Sequence, residues 1–201
     1  MQLHRRDVVD KATQLLDDYG IADLTMRRLA KELNVTPGAL YWHFANKQQL
    51  LGAVADRILA PVTTERSAGS WRERIRATCS TVRDALLSST DGAELVSASF
   101  AAGQTERLTE VLAKLTAAAT EAGMDSVNSD LTARTLVYYV LGFTADEQSR
   151  LQWDAAGALE DGQSVLETNP NGRFAFGLQL LVDGIGAHHQ AQPDVSQTIL
   201  E

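Results

Sequence analysis

Residues 36–50 read "TPGALYWHFANKQQL" and carry two helix start signals ten residues apart, at Thr36 and Asn46. Thr36 can cap a helix whose first residue is Pro37, where a missing backbone N–H costs nothing. Asn46 can cap the next helix, with Gln49 three residues on in capping-box position. The helix between them therefore runs only to about Phe44, too short to stand alone in water. Leu40 and Phe44, four apart, must pin it to its neighbours. With that face turned inward, Tyr41, Trp42 and His43 spread over the flank and the outer surface. The pattern demands a corner of packed helices with aromatic groups facing out.

The flanking sequence is helical too, with no period-two strand pattern. Val8, Ala12, Leu15, Leu16 and Tyr19 form one apolar stripe, and Gly20 supplies the left-handed residue that ends the helix. Thr25 can cap a second helix that buries Leu29, Ala30 and Leu33, and "ELNV" breaks it. A fourth helix over about 47–59 ends at Pro61, and "TTERSAGS" reads as a linker or short break. Further helices are expected at roughly 71–89, 94–102, 105–122, 130–152 and 173–189. The segment "WDAAGALEDGQSVLETNPNG", with its Gly, Asp and Asn-Pro content, predicts a mobile loop or a poorly ordered piece of helix. "LVYYVLGFTA" (136–145) and much of "FAFGLQLLVDGI" (174–185) are apolar on nearly every side and must be covered all round. Two such helices imply a homodimer with a four-helix interface.

The chain of 201 residues carries a net charge of -8, which looks wrong for a nucleic-acid binder. The total hides an asymmetry. Residues 1–60 hold eight Lys/Arg against seven Asp/Glu, while residues 61–201 hold ten against nineteen. From Thr25 to Lys47 the cations Arg27, Arg28, Lys31 and Lys47 face Glu32 alone. Positive charge is local, as suits a docking surface on an otherwise repelled body. The single cysteine, Cys79, excludes an intramolecular disulfide and a cysteine-rich metal site. It falls in the series Trp71, Ile75, Cys79, Val82, Leu86 and reads as a small buried hydrophobe. No run of eighteen apolar residues and no signal-peptide core in "MQLHRRDVVDKA" lead to the expectation of a cytoplasmic chain with no membrane partner. A Ser-His-Asp set, a phosphate-binding glycine loop, HExxH and clustered metal ligands are all missing, so an enzyme is not expected.

Two short helices joined by a tight turn, the second presenting polar and aromatic groups outward, fit a helix-turn-helix. "GIADLTMRRLAKELNVTPGALYWHFANKQQLL" (20–51) resembles the DNA-binding signature of the TetR family of transcriptional regulators over its whole length. "SWRERIRATCSTVRDALLSSTDGAELV", "YYVLGFTADEQS" and "FAFGLQLLVDGI" are similar to the ligand-binding domain of the family's tetracycline repressor branch. The expected fold is all-α: a three-helix helix-turn-helix DNA-binding domain over 1–46, then a helical effector-binding and dimerisation domain over 47–201, with helix 47–60 as connector. The resemblance implies a homodimeric repressor, released from a palindromic double-stranded DNA operator by a small-molecule effector.

Carried onto this sequence, the resemblance makes Thr25, Arg27 and Arg28 contacts to the backbone or a base at the start of the second helix. Pro37, Gly38 and Ala39 correspond to the base-reading tip, and Thr36 before them is a further DNA-binding position. Tyr41 and His43 resemble backbone contacts, and Trp42 lies along sugars or a thymine methyl. Lys47 stands in the first turn of helix four, where the helix dipole disfavours a cation and a DNA phosphate would reverse the sign. Pro37, Gly38 and Ala39 offer no bidentate donor for guanine or adenine, so sequence reading would rest on Arg27, methyl contacts and DNA shape.

The expected effector pocket draws on Thr63, Thr78, Val82, Val96, Ser99, Phe100, Gln104, Tyr138 and Asp146. Mostly apolar with a few hydroxyls and one acid, it suits a flat or greasy molecule. Asp146 and Glu147 end an apolar run and read as a solvated helix face; Trp71 and Trp153 read as packing or rim residues. In the tetracycline repressor branch the drug arrives with magnesium and a histidine ligates the metal, but here Val96 stands near that place. The histidines are His4, His43, His188 and His189, the last two reading as solvated at a helix end. No metal or cofactor is expected. Two alternatives remain at this stage: a magnesium–tetracycline-responsive repressor of a drug efflux gene, and an architectural DNA-binding protein without effector, which would leave the chain beyond residue 60 without a task.

Overall fold

A computed structural model describes residues 3–64, 69–158 and 169–191, without the side chains of residues 63, 64 and 189–191. Among the described residues all regular structure is helical: α1 (Arg5–Asp23), α2 (Met26–Glu32), α3 (Pro37–Tyr41), α4 (Lys47–Ile58), α5 (Ala60–Thr64), α6 (Trp71–Leu87), α7 (Gly92–Ala101), α8 (Glu106–Glu121), α9 (Ser126–Ala155) and α10 (Pro170–Ala191). Helices α1 to α3 form the corner; α4 leaves it and packs on α7 and α8, while α6, α8 and α9 pack on one another as the centre of the larger unit.

Local chemistry accounts for the corner. Val8, Ala12, Leu15 and Leu16 are buried as the stripe predicts, but Tyr19 is exposed and its ring lies under the Arg28 guanidinium, 3.9 Å from centroid to Cζ. Gly20 has φ 78°, the left-handed value expected, yet the helix resumes after this kink and runs to Asp23. The Thr25 hydroxyl accepts the Arg28 N–H at 3.2 Å and caps α2. Asn34, at φ 56°, makes the turn into α3, a conformation asparagine tolerates better than most residues.

Helix α3 is shorter than expected, ending at Tyr41, although the Phe44 N–H still reaches the Leu40 carbonyl at 3.0 Å. Leu40 and Phe44 are fully buried. The Asn46 side chain accepts the Gln49 N–H at 2.9 Å, while the Gln49 side chain accepts from Ala45 rather than from Asn46.

In the larger unit several boundaries shift. Helix α4 ends at Ile58, and Pro61 falls in the first turn of a separate α5, where proline is accepted, instead of ending a helix. Helix α9 begins at Ser126, four residues earlier than the polar sequence suggested, because Asp125 accepts the N–H groups of Val127 and Asn128 at 2.9 and 3.0 Å. The segment 153–172 is in part helical: its first residues end α9 and Pro170 begins α10, while residues 159–168 lie outside the described residues, as do residues 65–68 of "TTERSAGS". Cys79 is buried, and burial pushes its thiol up to about 12, so it acts as a hydrophobe at neutral pH.

Glu147 is not on a solvated face. Its carboxylate takes a bidentate hydrogen bond from Arg83 of α6, at 2.9 Å from Nε and 2.6 Å from Nη2, with both side chains 7% exposed. Arg83 Nη1 also donates to Asn171 at 2.9 Å, and its guanidinium lies 5.0 Å from the Phe174 ring centroid. Three helices, α6, α9 and α10, meet on one buried cation.

Candidate nucleic-acid interface and ligand cleft

The corner presents one edge outward. Trp42 is 90% exposed and Tyr41 about half exposed, because the two residues that anchor their short helix are Leu40 and Phe44. Thr36, Pro37 and Gly38 are exposed, and Ala39, His43 and Lys47 are half-buried beside them. A Cβ built on Gly38 would meet nothing closer than the Thr36 hydroxyl at 3.8 Å, and its φ is not positive. The fold does not require glycine there. Glycine inside a helix costs roughly 1 kcal/mol against alanine. Its smallness leaves the tip open to close approach from outside.

Not every cation expected at this edge is available to it. Arg28 forms an ion pair with Asp23, stacks on Tyr19 and holds α2 against α1. Arg27 and Lys31 are exposed on α2, and neither they nor Lys47 has a carboxylate partner among the described residues. The exposed Thr25 hydroxyl accepts the α2 cap hydrogen bond, which leaves its O–H as a donor.

The expected effector residues do not converge. Thr78, Val82, Val96 and Ser99 are buried in the packed core, Phe100 is half-buried, and Gln104 and Asp146 are exposed. The Thr63 side chain lies outside the described residues. The reason is helical phase. Asp146 sits one residue before Glu147, and a step of about 100° separates the buried ion pair from the outer face. Of the set's described side chains, only Tyr138 lines a cleft of about 590 Å³ between α7 and α9. Its walls carry Asp91, Glu94 and Ser97 on one side and Tyr138, Gln148 and Gln152 on the other.

That cleft touches the corner. Asp91, at the left-handed turn before α7, accepts the Ile21 N–H at 2.9 Å through one carboxylate oxygen and the Gln152 amide at 2.6 Å through the other. Thr90 adds two hydrogen bonds to Asp17, one to the side chain and one to the carbonyl. Gln148 fixes the same turn by donating to the Leu86 and Ser89 carbonyls and accepting from Ala93. At the far end of α7 the backbone of Gln104 abuts Gly52 of α4. Asp56, one turn further, accepts the Arg107 N–H at 3.0 Å, and burial raises its carboxyl above the ordinary range. Sequence reading missed these links. Arg83 had a signal, since it lies four residues after Cys79 on the buried stripe, where a charge needs a partner.

A metal site of the tetracycline type finds no support in the donor set. Val96, fully buried, stands near the place of the histidine ligand in the tetracycline repressor branch. The residues present do not fit a magnesium–tetracycline complex.

Comparison with known proteins gives matches across both units. Residues 8–54 match the pattern described as bacterial regulatory proteins, tetR family, and residues 63–169 match the tetracyclin repressor-like C-terminal domain. The class C tetracycline repressor protein of Escherichia coli is 31% identical over 92% of this chain and 91% of its own length. The crystal structure of Mycobacterium smegmatis BioQ is 62% identical, with a TM-score of 0.87, over 93% of this chain and 99% of that one. A structure of BioQ with its natural double-stranded DNA operator is 58% identical, with a TM-score of 0.78, over 93% and 100% of the two chains.

Proposed function

Since the chain belongs to the TetR family of bacterial regulatory proteins, we propose that it is a homodimeric transcriptional repressor that leaves a palindromic DNA operator when a small molecule enters its C-terminal domain. The observation that carries the reading is the outward edge of α3: Tyr41 and Trp42 stand in solvent beside a glycine the fold does not need. The operator complex of a relative 58% identical to this chain supports it. Residues 1–46 would read DNA, and residues 47–201 would bind effector and dimerise.

The dimer rests on a second observation. Leu131 and Tyr138 of α9 and Phe176 and Leu180 of α10 are each more than half exposed in the single chain. An apolar area of that kind on two adjacent helices supports an interface there, and a second copy would satisfy it with closed symmetry. Two recognition helices then face half-sites about one helical turn apart. Effector release follows by linkage: a ligand that prefers dimers with another spacing lowers operator affinity, typically five- to 150-fold for a coupling of roughly 1–3 kcal/mol.

Titration of the dimer with its own upstream DNA, followed by a screen of drug-like compounds and metabolites for release, tests the whole scheme. A protein that binds this duplex no better than a scrambled one is not the repressor proposed. Two substitutions test the contacts. Arg27→Ala should relax specificity, narrowing the gap between operator and mismatched duplexes by about 1–3 kcal/mol. Lys47→Ala should weaken all sequences alike and lower the salt slope by about 1 per subunit. Unchanged salt dependence would remove Lys47 from the phosphate contacts.

A further inference from the structure

The cations of residues 1–60 sort by what already holds them. Arg28 is paired with Asp23, while Arg57 and Arg6 both reach Asp10, the latter at 3.6 Å. Lys11 donates to Gln14. Arg27, Lys31 and Lys47, with no carboxylate partner among the described residues, lie on the helix-turn-helix or at the start of α4. One more cation has no carboxylate partner among the described residues and lies elsewhere in sequence. Arg5, the first residue of α1, has its guanidinium 4.4 Å from the centroid of the Phe44 ring and is exposed. The acid nearest in sequence, Asp7, is turned to the His4 backbone N–H at 2.9 Å as part of the α1 cap.

Position gives this arginine its meaning. Phe44 follows Tyr41, Trp42 and His43 directly and precedes the Asn46 cap and Lys47. Its buried ring therefore seats the Arg5 charge on the seam between α3 and the N-terminus of α4. Stacking on an aromatic face orients the guanidinium plane and leaves its N–H edge free. An arginine so held loses less side-chain freedom when it meets an anion, and its fork matches a phosphate. We infer that Arg5 is a DNA backbone contact contributed from outside the helix-turn-helix, clamping a phosphate next to the one proposed for Lys47. The inference rests on the repressor reading. It adds a third cation, after Arg27 and Lys47, to the set facing the duplex.

The competing explanation is that the Arg5 stem merely covers Phe44. Arg5→Gln keeps much of the stem and removes the charge; Arg5→Lys keeps the charge and loses the guanidinium fork. Binding to a duplex of the chain's upstream DNA and to a scrambled duplex is measured over a salt series, with melting temperatures recorded alongside. For Arg5→Gln the slope of log K against log salt should fall by about 1 per subunit on both duplexes, with affinity roughly tenfold weaker near physiological salt. Arg5→Lys should keep the parent slope. Arg6→Gln, which removes the same formal charge from a residue already paired with Asp10, should change the slope less than Arg5→Gln does. A parent slope in Arg5→Gln overturns the proposal, as does equal loss in Arg5→Gln and Arg5→Lys, which would mean packing, or in Arg5→Gln and Arg6→Gln, which would mean net charge. Failure of the unsubstituted protein to prefer its upstream duplex would instead defeat the repressor reading.

Discussion

Glu147→Ala is expected to destabilise the protein by about 3–5 kcal/mol, because it strands the Arg83 guanidinium in a site that water barely reaches. The two side chains are 7% exposed and joined by two hydrogen bonds, so alanine removes both acceptors and leaves nothing in their place. Asn171 retains its single contact with Nη1, too little to compensate a buried charge. For a chain of this length each kcal/mol moves the melting temperature by roughly 2–4 °C, so the transition should fall by about 6–20 °C. Glu147→Gln keeps one acceptor and should lose less. The paired replacement Arg83→Met with Glu147→Leu removes the charge together with its partner and should recover most of the loss, since apolar substitutes for a buried ion pair are often neutral or better. Circular-dichroism melts of the three proteins decide it. A Glu147→Ala protein within about 1 kcal/mol of the parent would mean that water enters the site.

That ion pair also marks where sequence reading stops. Caps and start signals are local chemistry, so most of the corner was legible: Thr25 and Asn46 cap as read, Pro37 opens α3, and Leu40 and Phe44 face inward, but the Thr36 side chain makes no cap hydrogen bond. The outward aromatic edge followed from those positions by geometry. Contacts between distant helices have no such local code. Asp146 and Glu147 are neighbours with the same charge, and only the rotation of α9 against α6 decides that one is solvated and the other buried. The α7–α9 cleft was invisible for the same reason. Its lining depends on how far apart two helices stand, and residues taken as a pocket, such as Val96 and Ser99, are instead packed shut. Asp91 shows a third limit. It stands at the N-terminus of α7, yet its side chain caps nothing on that helix and reaches across to Ile21 and Gln152, contacts no local pattern announces.

Gly52→Ala should cost operator affinity about tenfold or more while leaving the C-terminal helices folded, a loss within the range of typical allosteric couplings. Alanine is the better helix former by roughly 1 kcal/mol, so propensity alone predicts a gain. Space predicts the opposite. A Cβ at Gly52 would stand 2.2 Å from the Gln104 carbonyl oxygen and 3.0 Å from its carbonyl carbon, and backbone in a tight turn cannot rotate aside as a long side chain would. Overpacking of this kind costs about 1–3 kcal/mol, and it is relieved by moving α4 away from the α7–α8 turn. Asp56, one turn along α4, would then be drawn off the Arg107 N–H it accepts, so both attachments of α4 to that turn loosen together. In the proposed dimer α4 carries the reading head. A shift of its axis changes the distance between the two recognition helices, and operator binding depends on that distance to within a fraction of a helical turn. Three measurements separate the effect from unfolding: operator titration, a thermal melt, and size-exclusion elution for the dimer. Parent affinity together with a raised melting temperature would show that the turn yields to the new methyl, and that α4 is not held by backbone contact at this point.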